Sequence, residues 1–119
     1  MKQLLKLTGC LAVAGLFVSC QSVQQEANYQ VIPLPQEIVV EQGVPFILKS
    51  GVKILYPEGN EKMQRNAKFL ADYLKTATGK DFTIEAGTEG KNAIILALGT
   101  ENENPEAYQL KVAGDGVTI

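Results

Sequence analysis

Between Asn60 and Gly79 the apolar residues Met63, Ala67, Leu70, Leu74 and Ala77 recur at steps of four, three, four and three. That is the period of one face of an α-helix. Asn60 is suited to accept a backbone N–H at the helix start, Glu61 complements the positive end of the dipole, and Gly79 suits a left-handed stop. The spacing predicts a helix over residues 61–77. Phe69 and Tyr73, also four apart, are expected to widen the apolar stripe, and Lys62, Arg65, Lys68, Asp72 and Lys75 to face outward. A single amphipathic helix of this length cannot bury its stripe against itself, so a second layer is required.

The remaining signals supply a sheet. Residues 38–41 and 45–48 are apolar runs flanking Gln42-Gly43, and each reads as a strand. Lys49-Ser50-Gly51 leads into a third strand over 52–56, and Pro57-Glu58-Gly59-Asn60 breaks it. After the helix, 82–84 is a short strand. Residues 93–98 are an almost unbroken apolar run, as expected of a central strand covered on both faces. Tyr108, Leu110 and Val112 alternate with polar residues. Gly114-Asp115-Gly116 then turns into 117–119, which reads as a hairpin with Asp115-Gly116 as its turn signal. The expected fold is α+β: a mostly antiparallel sheet with a helix packed on one face.

The N-terminus reads differently. Met1-Lys2-Gln3-Leu4-Leu5-Lys6 is a short basic segment, and residues 7–18 form an apolar run of 12 residues that ends at Ser19-Cys20. As a helix that run reaches about 18 Å, short of the roughly 30 Å of a bilayer core. It reads as a secretory signal peptide over 1–19. Leu16-Phe17-Val18-Ser19-Cys20 resembles a bacterial lipobox, with Phe17 where Leu is usual. The resemblance implies diacylation of Cys20 and acylation of its new amino group, a stable two-signal anchor. Residues 20–28 would be a lipidated, Gln-rich tether, and 29–119 the folded domain. Cys10 would leave with the signal and Cys20 would carry lipid, so no thiol remains for a disulfide or thiolate metal site.

The chemistry-bearing residues are few. The chain has 119 residues, no His and no Trp, and 11 Lys+Arg against 13 Asp+Glu for a net charge of -2. A basic nucleic-acid footprint is absent, and no nucleic-acid partner is expected. Gly87-Thr88-Glu89-Gly90-Lys91 lacks the phosphate-loop spacing and reads as a connection between strands. Glu101, Glu103 and Glu106, with Asn102 and Asn104, form an acidic loop without the pattern of a Ca²⁺ site. Asp72 and Glu85 can be paired only on paper as hydrolytic carboxylates, and Ser22 and Ser50 have no His to activate them. No catalytic residue, metal ligand or cofactor-binding residue is assigned, and no cofactor is expected.

Five motifs in register carry a family resemblance over residues 29–119. Tyr29-Gln30-Val31-Ile32-Pro33-Leu34-Pro35-Gln36 resembles the opening of bacterial β-N-acetylhexosaminidases of glycoside hydrolase family 20. The helix end Leu70-Ala71-Asp72-Tyr73-Leu74-Lys75-Thr76-Ala77-Thr78-Gly79 resembles the family's helix, and Asn92-Ala93-Ile94-Ile95-Leu96 the strand that follows. Asn104-Pro105-Glu106-Ala107-Tyr108-Gln109-Leu110 and Gly116-Val117-Thr118-Ile119 resemble its last two motifs. The resemblance implies the family's N-terminal non-catalytic domain, zincin-like in fold. Related domains precede the barrels of other glycosidases, family 84 among them.

What it further implies is a two-part enzyme. A (β/α)₈ barrel would follow in the same polypeptide, beyond this chain, and be the domain's partner. The barrel's Asp-Glu pair would drive substrate-assisted retaining hydrolysis of terminal N-acetylhexosamine from glycans. The fragment alone is expected to be inactive. Its expected location is the outer membrane of a Gram-negative bacterium, on the periplasmic or cell-surface side, held by lipid at Cys20. The alternative is a free-standing surface module that binds a glycan or a protein.

Overall fold

The structure is a computed structural model, and it describes residues 28–99 and 103–119. The signal peptide, Cys20, the tether up to residue 27, and Glu101 and Asn102 lie outside the described residues. The chain divides into two compact units, Met1–Ile38 and Val39–Ile119. In the first, residues 28–38 are irregular, with a cis Ile32-Pro33 bond and Ile32 almost fully exposed.

The second unit holds all the regular structure of the described residues. β1 (Lys53–Tyr56) leads into α1 (Glu61–Thr78) and then β2 (Thr83–Ala86). β3 (Ala93–Ile95), β4 (Lys111–Ala113) and β5 (Gly116–Thr118) follow. They form one five-stranded sheet in the order β2-β1-β3-β5-β4, with α1 packed on β1 and β2. The α+β architecture, with a helix against the sheet, is therefore as expected.

The strand directions are not. β1 pairs parallel with both β2 and β3, and β3 pairs parallel with β5; the β4–β5 hairpin is the antiparallel pair. The sheet is mixed and mainly parallel, not mostly antiparallel. The cause lies in the connections. An 18-residue helix between β1 and β2 carries the chain back along the sheet, so β2 re-enters in the same direction as β1. From β2 the chain crosses to the other side of β1 through residues 87–92. A Cβ at Gly90 would lie 2.9 Å from Leu55 Cδ1, and one at Gly87 4.0 Å from it. The crossing therefore runs over the Leu55 side chain. Because side chains alternate across a strand, Leu55 lies on the face opposite Ile54 and α1. That is the role of the Gly87–Gly90 segment weighed above as a phosphate loop.

Residues 38–41 and 45–48 form no strand. Pro45 has no N–H for a ladder, and the segment instead lies against the β4–β5 turn. A Cβ at Gly114 would meet the Val44 carbonyl oxygen at 3.1 Å. Phe46 and Leu48 still pack against the core, while Val39, Val40, Val44 and Ile47 are exposed. The hairpin loop is Gly114-Asp115, one residue earlier than read, because Gly116 already pairs with Ala113.

The core is Val52, Ile54, Ala67, Ala71, Ile94 and Leu96, flanked by Met63, Leu70, Leu74, Ile84 and Val117 among others. Ile54 is at its centre, fully buried, with Ile84 and Ile94 in register on either side. The helix ends match expectation. Met63 N donates to Asn60 Oδ1 at 3.0 Å, and Gly79 adopts φ 70°, ψ 9° while its N–H donates to the Lys75 carbonyl at 2.8 Å. The stripe itself is corrected: Ala71 is buried, whereas Phe69, Tyr73 and Ala77 are exposed.

Candidate functional site

No described residues assemble a catalytic centre. Ile84 packs toward the helix-side core, so its neighbour Glu85 projects from the opposite face of the sheet. There it accepts from Lys53 Nζ at 2.8 Å. Asp72 sits exposed on α1, and the two carboxylates do not share a cleft. Glu103 and Glu106 are exposed, and Glu106 N donates to Asn104 Oδ1 at 2.9 Å, an ordinary side-chain-closed turn. Ser50 lies exposed in a turn, and Ser22 falls outside the described residues. Among the described residues no group of three His, Cys, Asp or Glu is placed to hold a metal ion, and no helix is long and apolar enough to cross a membrane.

Two surface features of α1 remain, and they adjoin, because Arg65 and Phe69 are four residues apart on one helix. The first is aromatic. Phe69 is two residues on from buried Ala67, which is more than half a turn round the helix. It therefore points away from the core, and Tyr73 follows one turn later on the same stripe. Their exposures are 75% and 64%. Sequence periodicity alone placed both with the core, because a four-residue spacing reports that two residues share a side but not which side is buried.

The second is a shallow cleft of about 280 Å³ where α1 meets β1 and β2, lined by Tyr56, Gln64, Arg65, Lys68 and Ile84. Periodicity had assigned Arg65 and Lys68 only to a solvated face. Tyr56 and Ile84, half-buried ends of neighbouring parallel strands, supply its apolar wall. Among the described residues neither Arg65 nor Lys68 makes an ion pair; the pairs formed are Lys53–Glu85 and Lys75–Asp81. The latter, at 2.5 Å, holds the Lys75 ammonium above its ordinary pKa of 10.5, through the hydrogen bond and charge of Asp81.

A mixed five-stranded sheet carrying a helix on one face defines an α+β module. The profile of glycosyl hydrolase family 20, domain 2, matches residues 28–119, and the chain belongs to that family. No curated protein matches it.

Proposed function

We propose that this chain is the N-terminal supporting domain of a bacterial β-N-acetylhexosaminidase. The observation that carries the reading is the family match over residues 28–119. The catalytic domain of such an enzyme is the partner, in the same polypeptide. By resemblance that domain is a (β/α)₈ barrel whose Asp-Glu pair removes terminal N-acetylhexosamine with the substrate's own acetamido group as nucleophile. No residue of this chain takes part in that step. Its role is mechanical: to bury one flank of the catalytic domain and hold it folded.

The outer face of α1 suits that role. A solvent-facing helix side is ordinarily polar, yet Phe69 and Tyr73 stand there largely exposed. Aromatic side chains of this size bury about 150–250 Å² each when covered, so a neighbouring domain seated on them gains a sizeable apolar contact. Export as a lipoprotein anchored at Cys20 to the outer membrane belongs to the same proposal. It is supported by the basic start, the short apolar run and the Ser19-Cys20 junction.

The test uses the intact polypeptide that joins this chain to a catalytic domain. Phe69→Ser with Tyr73→Ser is expected to lower its melting temperature and promote inactivation on mild heating. The same double change in the isolated chain is expected to leave stability nearly unchanged. Equal destabilisation of both proteins would mean that the aromatics serve this domain's own fold. Intact-mass analysis of membrane-extracted protein is expected to show a lipid adduct lost in Cys20→Ala.

A further inference from the structure

We propose that the cleft between α1 and the β1–β2 edge binds an acidic sugar, through a sulfate or carboxylate carried on a single saccharide ring. Four polar residues line it: Tyr56 on β1, and Gln64, Arg65 and Lys68 on the exposed side of α1. None of their side chains has a hydrogen-bond or ion-pair partner among the described residues. Guanidinium and ammonium offer only donors, and the hydroxyl and amide can donate as well. Two cations without an ion-pair partner among the described residues suit an oxyanion, and Arg adds a planar fork that fits sulfate or carboxylate in two parallel bonds.

The local charge favours the same ligand. The chain is net -2, yet α1 carries Lys62, Arg65, Lys68 and Lys75 against Glu61 and Asp72 alone. Asp72 and Glu61 are each one helical turn from a cleft cation, but both are exposed and neither forms an ion pair among the described residues. Arg65 and Lys68 are thus not neutralised by an ion pair among the described residues.

Shape sets the rest. At about 280 Å³ the cleft falls just below the range of drug-sized ligand sites, about 300 to 1,000 Å³. It has room for one ring and its charged group. Half-buried Tyr56 and Ile84 give an apolar wall against which the C–H face of a sugar packs. The choice of a sugar over another small anion rests on the reading of the chain as part of a glycoside hydrolase. The cleft would then hold the acidic unit of a glycan at a distance from the reaction.

The experiment is an NMR titration of the isotopically labelled 119-residue chain. The probes are N-acetylglucosamine 6-sulfate, neutral N-acetylglucosamine and sodium sulfate, at constant ionic strength. Saturable shifts of the Gln64, Arg65 and Lys68 amides are expected with the sulfated sugar, and none with the neutral one. Arg65→Gln with Lys68→Gln is expected to weaken binding about tenfold or more. Both residues are exposed, so the fold should persist, and an unchanged amide spectrum elsewhere checks that.

Inorganic sulfate binding as well as the sulfated sugar would overturn the claim of a sugar site. Binding that survives the double substitution, or no binding, would overturn the site itself. Hydrolytic activity of the intact polypeptide is measured separately and is unaffected by either outcome, so failure of this inference and failure of the proposed function are distinguishable.

Discussion

Replacing Ile54 by Ala is the sharpest test of the packing described here. Ile54 is 0% exposed and sits between Ile84 and Ile94 on the two flanking strands, beneath α1. The change removes three carbons, which at about 0.8 kcal/mol each is about 2.4 kcal/mol of lost transfer free energy. Strands on both sides and a helix above leave little freedom to collapse, so a cavity remains. Its contribution brings the expected loss to about 3–5 kcal/mol. A domain of this size has about 4–12 kcal/mol in total, at 0.05–0.15 kcal/mol per residue, so the variant should be marginal. With a urea slope of about 1–3 kcal/mol/M, the unfolding midpoint should fall by about 1–5 M. Ile54→Val is the graded control, expected to cost about 0.5–1.5 kcal/mol. Phe69→Ala, 75% exposed, should stay within about 0.5 kcal/mol of wild type. A loss below about 1 kcal/mol for Ile54→Ala, or a loss for Phe69→Ala as large as that of Ile54→Ala, would refute the placement of the core on the Ala67 side of α1.

Gly116→Ala should destabilise by about 1–3 kcal/mol, because the added Cβ would sit 3.0 Å from the Ala93 carbonyl oxygen, a backbone atom of the neighbouring strand that cannot swing aside; thermal unfolding measures it. Asn92 has φ 53°, donates from Nδ2 to the Gly51 carbonyl and from its backbone N–H to the Asp115 carbonyl. Asn92→Ala, losing that side-chain bond and its tolerance of left-handed backbone, should cost more than Asn92→Gly, which loses the bond alone; urea unfolding of the two variants ranks them. Lys75 is held above its ordinary 10.5 by Asp81, so its contribution is fully present below that pH and is lost as pH rises through the folded-state value. Asp81→Asn should therefore lower the Lys75 titration midpoint by NMR and narrow its stability gap from wild type above pH 10.5; a midpoint that does not move would remove the pair from the account.

The helix was legible because its signals are local. Asn60, Glu61 and Gly79 act within one turn of its ends, and the structure extends it only from 77 to Thr78. The existence of the strands around Ile54, Ile84, Ile94 and Val117 was legible for the same reason. Strand direction was not, because hydrophobic alternation is the same for parallel and antiparallel neighbours. What decides it is how the chain travels between strands: the helix from β1 to β2, and the short crossing over Leu55 from β2 to β3. The latter depends on Gly90 lying against Leu55, a contact between residues far apart in sequence. Residues 38–41 and 45–48 have strand-like composition, but in the structure neither pairs with a neighbour. The cleft was illegible for a related reason. Arg65 and Lys68 look like any solvated helix cations until the fold sets Tyr56 and Ile84 beside them.

The central claim is that this chain supports chemistry done elsewhere in its polypeptide. The direct measurement is release of p-nitrophenol from p-nitrophenyl N-acetyl-β-glucosaminide, by purified residues 1–119 and by the same residues joined to a family 20 catalytic domain. The account predicts turnover from the joined protein and none above the buffer blank from the chain alone. Turnover by the chain alone that survives repurification and disappears in Glu85→Gln or Asp72→Asn would contradict it.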